Sequence, residues 1–108
     1  MILDTGHTRF EILPGQKDVS WIYAEELSKE EGFRIPTLEE LRYLYSLKGK
    51  LGLNLQIPDN WVWSSKEDKG PRIEGEGKSY YFLNFRNGNS DWEWGNLKTA
   101  IIIKAFDK

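Results

Sequence analysis

A proline followed directly by a helix-capping pattern organises the first half of the chain, within the segment Gly32–Leu41. Pro36 restricts the residue before it, Ile35, to an extended backbone. Thr37 and Glu40 stand three residues apart, the spacing of a capping box in which each side chain binds the other residue's backbone N–H. The segment therefore predicts a short strand that ends at Pro36 and a helix that begins directly after Thr37.

Apolar spacing predicts one helix before this proline and one after it. The first helix has Ser20 as its expected N-cap, with Asp18 as the alternative, and Gly32 as its C-cap. Gly49 and Gly52 are expected to end the second helix. The residues that recur on one side of each helix are Trp21, Ala24, Leu27 and Ser28 in the first and Leu38, Leu41, Leu44 and Tyr45 in the second.

Apolar segments bounded by turn residues predict the strands. These segments are Phe10–Leu13 before Pro14-Gly15, then Phe33–Ile35, Trp61–Ser65, Tyr80–Phe85, Asp91–Trp94 and Thr99–Phe106. Asn87-Gly88 predicts a two-residue type I′ hairpin turn, and Ile101–Ile103 predict that the last strand is buried on both sides. Gly52–Asn60 and Lys66–Lys78 are expected to be solvated connecting loops.

Helices grouped early and strands grouped late indicate an α+β fold. No repeat and no linker divides the sequence, so residues 1–108 are expected to form a single domain. A chain of this length buries a core, and five Trp, five Tyr and five Phe are expected to supply much of it because each large ring buries about 150–250 Å².

Composition argues against several classes of protein. The 15 basic and 17 acidic residues are spread along the chain, unlike the clustered basic surface of a nucleic-acid-binding protein. No apolar segment approaches the roughly 20 residues of a membrane span. Cysteine is absent, which excludes disulfides and cysteine nucleophiles. With no signal peptide visible, we expect a cytoplasmic protein; an extracellular or virion protein, its signal already removed, is the alternative.

Five short motifs follow one another between about Val19 and Lys104. They are Trp21 with Ala24, Phe33–Thr37, Glu40-Leu41, Trp63-Ser64-Ser65, and Phe82–Phe85 followed by Asn87-Gly88. In this order they resemble a bacterial domain family of unknown function, which is named after the C-terminal region of a collagen-like protein and adopts a C-type-lectin-like fold. The resemblance implies that fold here, with two helices packed on an antiparallel sheet and a loop-rich second half.

The chain departs from the family pattern at Phe33, where the family prefers Trp, and at Ile35, where it prefers Leu. Many members carry one Cys in the first helix and another in the last strand, whereas the helix position here is Ser28. The formylglycine-generating enzymes share the wider fold and need cysteines for catalysis, so that activity is excluded here.

The residues shared with the family are interpreted as scaffold rather than as a site, because function is argued from sites and not from folds. Arg34 is expected to hold a carboxylate or carbonyl groups with its planar fork. Ser64 and Ser65 are expected to bind backbone groups at the end of a strand.

Trp92 and Trp94 are the main candidates for a ligand-binding surface, because residues two apart in a strand share one face. The resemblance also implies a ligand surface on these later strands and loops. The polar residues expected to flank the two indoles are Asn89, Asp91, Glu93 and Asn96. The alternative interpretation places both indoles in the core, packed on a second sheet or under the 66–78 loop.

A calcium site, which carbohydrate-binding lectins of this fold use, is only loosely matched. Gln56–Asn60 has an inserted residue, and Asn89–Trp92 has the right residue types in the wrong order. Calcium needs six to eight oxygen ligands from several groups. His7 is the sole histidine, too little for a multi-histidine metal site or a catalytic triad. We therefore predict no metal and no cofactor.

The sequence favours a non-enzymatic recognition module that binds a protein or a glycan through its C-terminal strands and loops, with no nucleic-acid or membrane partner. One alternative is a structural or assembly subunit of a phage or a surface appendage. The other is a hydrolase that uses two carboxylates. Glu25-Glu26 and Glu39-Glu40 do not supply such a pair, because neighbours on a helix diverge by about 100°. The oligomeric state stays open.

Overall fold

Two helices and three antiparallel sheets make up the part of the chain that the structure, a computed structural model, describes: residues 2–12, 17–47, 60–68, 78–95 and 98–108. This arrangement confirms the α+β class. The helices are α1 (Trp21–Glu31) and α2 (Leu38–Leu47). The strands are β1 (Ile2–Asp4), β2 (Thr8–Glu11), β3 (Val19–Ser20), β4 (Trp61–Asp68), β5 (Ser79–Asn84), β6 (Ser90–Trp94), β7 (Thr99–Ala100) and β8 (Lys104–Asp107).

Helix α1 begins and ends at the predicted capping residues. The Ser20 hydroxyl accepts a hydrogen bond from the Tyr23 N–H at 3.2 Å, so Ser20 and not Asp18 is the N-cap. Gly32 adopts the left-handed conformation, with φ 74°, and donates its N–H to the Ser28 carbonyl at 2.9 Å. A C-terminal cap of this kind favours glycine, which has no β-carbon to clash.

The junction at Pro36 confirms the capping box but not the strand before it. Thr37 Oγ1 accepts from the Glu40 N–H at 3.1 Å, and Glu40 Oε1 accepts from the Thr37 N–H at 2.8 Å. The predicted Phe33–Ile35 strand is a single bridge between Arg34 and Ala105. Arg34 and Ala105 exchange both backbone bonds, so the ladder would continue through residues 32 and 36. It does not lengthen because the Gly32 N–H already binds the Ser28 carbonyl and Pro36 has no N–H.

The central sheet has the order β4-β5-β6 and therefore leaves β6 at an edge. Strand β4 extends to Asp68, so the first residues of the predicted 66–78 loop are strand, and residues 69–77 lie outside the described part. The register of β4 against β5 shifts between Trp63 and Glu67, which is a bulge.

The hairpin between β5 and β6 forms where Asn87-Gly88 predicted it, but through a longer turn. Residues 85–89 connect the strands instead of two residues. Asn84 Oδ1 accepts from the Arg86 N–H and Asn87 Oδ1 from the Asn89 N–H, both at 2.9 Å. Two backbone bonds also close the turn: the Asn84 N–H donates to the Asn89 carbonyl at 2.8 Å, and the Gly88 N–H donates to the Asn84 carbonyl at 2.7 Å.

The predicted last strand, Thr99–Phe106, is two strands in two different sheets: β7 pairs with β3, and β8 pairs with β2. Between β7 and β8, the Ile101 N–H donates to the Trp61 carbonyl at 2.9 Å, and its carbonyl accepts from the Trp63 N–H at 3.1 Å. The chain therefore passes along β4 on its way from the sheet of β7 to the sheet of β8. All three isoleucines are buried, as predicted.

At the N-terminus, β2 spans Thr8–Glu11, two residues earlier at each end than the predicted 10–13 strand, and pairs with the unpredicted β1. The predicted turn at Pro14-Gly15 and the predicted loop over residues 52–59 lie outside the described residues, as do Gly49 and Gly52.

Two apolar cores lie on opposite faces of the central sheet, because successive residues of a strand point to opposite sides. On the α2 side the core includes Leu41, Leu44, Val62 and Leu83. On the α1 side it includes Trp21, Trp63, Tyr80 and Phe82. Neither α1 nor α2 is long and apolar enough to cross a membrane.

Candidate functional site

Trp92 and Trp94 lie on the same face of the edge strand β6, as predicted. Their ring centroids are 5.9 Å apart and their planes meet at 84°, an edge-to-face pair. Trp92 is 42% exposed and Trp94 is half-buried. This exposure places Trp92 at the surface, and residues 69–77 of the loop named in the alternative lie outside the described part.

Tyr81 extends this face onto the neighbouring strand. In the register of β5 and β6, Tyr81 stands directly opposite Trp92 and shares its side of the sheet. Tyr81 also packs partly against the core under α2. We call Tyr81, Trp92 and Trp94 the aromatic face. It continues the α2 side of the sheet towards the edge strand.

Two cationic side chains border the aromatic face. Arg42, exposed on α2, donates from Nη2 to the Ser90 hydroxyl at 3.3 Å, and Ser90 shares the face of Trp92. Lys66, exposed on β4, holds its Nζ 5.2 Å from the centroid of the Tyr81 ring. This is cation–π distance. Within the described ranges neither cation has a carboxylate partner.

Ser64 fixes the strand that carries Lys66. Its buried hydroxyl donates to the Tyr81 carbonyl at 2.7 Å and accepts from the Lys66 N–H at 3.2 Å. The predicted bond to backbone is therefore present, at the β4 bulge rather than at a strand end. Ser65 contributes its backbone N–H instead, which donates to the Pro36 carbonyl at 2.8 Å.

Asp91 and Glu93 lie on the opposite face of β6 from the indoles, since they stand opposite Phe82 and Tyr80. Asp91 Oδ1 accepts from the Trp92 N–H at 2.8 Å, and Glu93 Oε1 accepts from the Trp94 N–H at 3.2 Å. In an antiparallel pair, every second residue of a strand directs its backbone N–H and C=O towards the partner strand, and the residues between direct theirs away from it. Asn89 bonds to Asn84 of β5, and Gly95 bonds to Lys78, the residue before β5. The N–H groups of the two tryptophans therefore point to the free edge. The carboxylates therefore cover the free edge of β6.

Of the remaining predicted site residues, Asn89 is exposed in the β5–β6 connection and Asn96 lies outside the described residues. The structure thus brings together only the two indoles among the described members of the predicted set. Sequence reasoning missed Tyr81, Lys66 and Arg42. Tyr81 had a signal, its place in an aromatic strand, whereas the two cations come from distant segments and had none.

The described residues contain no cluster of three or more His, Asp or Glu side chains that would hold a metal ion. Asn60, at the end of the loosely calcium-like segment, binds Asp18 Oδ1 through its amide at 3.1 Å and accepts the Trp61 N–H at 2.8 Å. Residues 56–59 of that segment lie outside the described part.

Arg34 forms the fork that the sequence predicted. Its Nη1 and Nη2 donate to Glu40 at 2.6 and 2.8 Å, and its Nε and Nη2 donate to Asp107 at 2.9 to 3.1 Å. These bonds lower the pKa of both carboxyls and raise the pKa of the guanidinium. The arrangement ties the start of α2 to β8, and it holds both carboxylates ionised.

Two open grooves of about 340 Å³ each border Arg34, one against β8 and one against α1. Every nitrogen of its guanidinium is already bound to a carboxylate. In both grooves Arg34 is therefore already neutralised by carboxylates, whereas Arg42 and Lys66 beside the aromatic face have no carboxylate partner among the described residues.

No protein-family model and no curated protein matches the chain. The resemblance to the collagen-like C-terminal domain family stays a prediction carried by its motifs.

Proposed function

We propose that the chain is a non-enzymatic recognition module of C-type-lectin-like fold that binds a protein or a glycan through the aromatic face. One observation carries this proposal: Trp92 exposes 42% of its surface on a sheet face where Tyr81 stands opposite and Trp94 lies alongside. Large rings that are partly exposed next to cations have the composition of binding hot spots. A lone exposed apolar side chain would need no such explanation.

The fold supports the proposal in two ways. The α1 side of the sheet is closed, since Trp21 stacks on Tyr80 with centroids 3.4 Å apart and planes 6° apart. On the α2 side, the Arg42 side chain reaches Ser90, and among the described residues Trp92 beyond it is exposed. The motif resemblance supports the finer assignment to a C-type-lectin-like fold, and the cysteine-free composition supports a cytoplasmic location.

The hydrolase alternative requires two carboxyls about 5–9.5 Å apart, one of them able to give a proton. Glu40 and Asp107 are brought together by Arg34, but the same guanidinium lowers the pKa of both. This pair therefore lacks a proton donor near neutral pH. No described feature favours the assembly-subunit alternative over recognition.

The test is a binding screen with the whole chain, against a random dodecapeptide display library and a glycan array. We expect the screen to yield ligands that bind Trp92→Ala and Trp94→Ala with an affinity at least tenfold lower than their affinity for the wild-type chain. Tyr23→Ala is the matched control, because Tyr23 is 51% exposed on α1, which packs against the other side of the sheet. The proposal is wrong if neither library yields a ligand, or if Trp92→Ala and Trp94→Ala, still folded by near-ultraviolet circular dichroism, bind like the wild-type protein.

A further inference from the structure

The geometry points to an acidic protein segment as the ligand of the aromatic face. This inference rests on the proposed function and adds the chemistry of the partner. The segment would place apolar side chains on Tyr81, Trp92 and Trp94, and carboxylates beside Arg42 and Lys66.

The two cations approach the surroundings of Trp92 from two directions, one along β6 and one across β5. Arg42 reaches Ser90, two residues before Trp92 on the same strand face. Lys66 lies over Tyr81, which is opposite Trp92 on the neighbouring strand. Both cations come from elements outside β6, so the tertiary structure creates this basic border although the chain has a net charge of −2. A ligand lying over Trp92 would meet a positive charge on two sides.

The two acidic side chains of β6 are turned away from this surface. Asp91 and Glu93 lie on the other face of β6 and bind the backbone N–H groups at its edge. Asp68 of β4, by contrast, pairs with Ser79 opposite Trp94 and lies on the same side of the sheet, where its Oδ2 accepts from the Ser79 hydroxyl at 3.3 Å. The side of the sheet that carries the aromatic face thus holds two cations, Arg42 and Lys66, and the one hydrogen-bonded carboxylate of Asp68, while the carboxylates of Asp91 and Glu93 lie at the edge. Complementary charges of this kind determine which partners bind and how fast they associate.

Two observations favour a protein segment over a glycan. The 84° angle between the indoles of Trp92 and Trp94 does not provide a flat platform on which a sugar ring would stack; it leaves an angle that fits a branched or aromatic side chain. Trp, Tyr and Arg are also the residue types enriched at protein-binding hot spots.

The edge of β6 restricts how the segment would bind. A strand added to a sheet binds through backbone N–H groups at the edge. Here the Trp92 and Trp94 N–H groups already bind carboxylates, which would repel an acidic strand. The segment is therefore expected to lie across the face and to bind through side chains.

In the test, the dodecapeptide display library is selected separately on the wild-type chain and on Trp92→Ala, and the peptides enriched only by the wild-type chain are sequenced. We expect them to combine Asp or Glu with large apolar residues. Synthetic copies with every Asp and Glu changed to Asn and Gln should bind at least tenfold more weakly in fluorescence anisotropy, and raising salt from 50 to 500 mM should weaken the acidic originals because exposed charges are screened.

Charge reversal is the decisive variant. Arg42→Glu/Lys66→Glu should bind the acidic peptides at least tenfold more weakly than the wild-type chain does. In the display selection it should instead enrich peptides that contain Lys and Arg. Lys17→Glu/Lys29→Glu is the matched control, since both lysines are exposed and their reversal changes the net charge by the same amount, and it should keep the wild-type preference. Unchanged thermal unfolding of the double variant would show that the loss comes from the surface.

The outcomes separate this inference from the proposed function. Peptides that depend on Trp92 but carry no acidic excess would overturn the inference and leave the recognition function standing. Binding to glycans alone, dependent on Trp92, would do the same. A double variant that keeps the acidic preference would also overturn the inference. If no ligand depends on Trp92 or Trp94, the proposed function itself fails.

Discussion

Gly88 lies directly against the ring of Tyr45: a β-carbon built on Gly88 would be 2.5 Å from Tyr45 Cε1. Tyr45 also meets Phe85 edge-to-face, with centroids 6.0 Å apart. These contacts fix the β5–β6 connection against α2, the helix that carries Arg42. The position of this cation relative to the indoles therefore depends on a close approach that only glycine allows.

Gly88→Ala is expected to lower the free energy of unfolding by more than Gly32→Ala does. Both glycines have similar φ, 79° and 74°, so both substitutions meet the conformational cost of about 1–2 kcal/mol. A β-carbon at Gly32 meets nothing within 4 Å, whereas one at Gly88 strikes the Tyr45 ring. Urea unfolding of the two variants measures the difference. Equal losses would show that the ring moves aside without cost.

Ser64→Ala is expected to destabilise the fold by about 1–3 kcal/mol, because the Tyr81 carbonyl and the Lys66 N–H lose the hydroxyl they share. Ser46→Ala is the control: its hydroxyl donates to the Tyr43 carbonyl on the exposed surface of α2. Thermal and urea unfolding should leave Ser46→Ala within about 0.5 kcal/mol of the wild-type protein. A similar loss in both variants would contradict the role given to the β4 bulge.

Arg34→Ala is expected to destabilise the protein by about 1–2 kcal/mol at pH 7. The loss is no larger because the Arg34–Glu40 ion pair is partly exposed and solvent screens it. The pKa values of Glu40 and Asp107 are lowered in the folded state, from unfolded values of about 4.3 and 3.9. The stability they contribute is complete above those values and is lost as pH falls through the lowered pKa values.

The difference between wild type and Arg34→Ala in unfolding free energy should therefore shrink as pH drops below about 4. Urea unfolding followed by tryptophan fluorescence between pH 7 and pH 2 measures it. Glu40→Gln, which removes one of the two carboxylates, should show part of the same change. A difference that stays constant over the whole range would rule out the ionic contribution of this cluster.

Asp91→Ala/Glu93→Ala is expected to promote self-association. The double variant leaves the Trp92 and Trp94 N–H groups at the free edge of β6 without their carboxylate acceptors. A free strand edge is a template for pairing with another chain. Sedimentation velocity should show a larger average mass than for the wild-type protein at equal concentration. Glu26→Ala/Glu39→Ala makes the same change of charge at exposed helix positions and should not raise the average mass. If both double variants had the same average mass, Asp91 and Glu93 would not be what keeps the edge of β6 from pairing.

Trp63→Ala and Trp92→Ala are expected to differ sharply in stability. Trp63 is fully buried and its Nε1 donates to the Val19 carbonyl at 2.8 Å, so its loss should cost about 3–5 kcal/mol. Trp92 is exposed, and its truncation should cost less than about 1 kcal/mol. Differential scanning calorimetry compares them. A large loss of stability in Trp92→Ala would show that this indole is part of the core, and the aromatic face would then not be a binding surface.

Local signals in the sequence predicted the structure well where the interacting groups lie within a few residues. Ser20 and Gly32 cap α1, and Thr37 with Glu40 form the capping box, because each bond closes over three or four residues. The shared face of Trp92 and Trp94 follows in the same way from the two-residue period of a strand.

Long-range pairing decided what the sequence left open. Thr99–Phe106 reads as one strand, but Ile101 bonds to β4 and the chain continues into another sheet. The fork of Arg34 was expected, yet Asp107 as its partner stands 73 residues away. No local pattern encodes such a distance, because the contact exists only once the sheets have packed.

The sequence by itself determined the α+β class, both helices with their caps, the hairpin site and the pairing of two indoles on one strand face, since each follows from backbone periodicity or a short-range hydrogen bond. Only the tertiary structure decided that Trp92 faces solvent, that β6 is an edge strand whose N–H groups Asp91 and Glu93 cover, and that Arg42 and Lys66 border the indoles. The physical reason is that a binding surface joins side chains from separate elements, whose meeting depends on sheet order, register and the packing of α2.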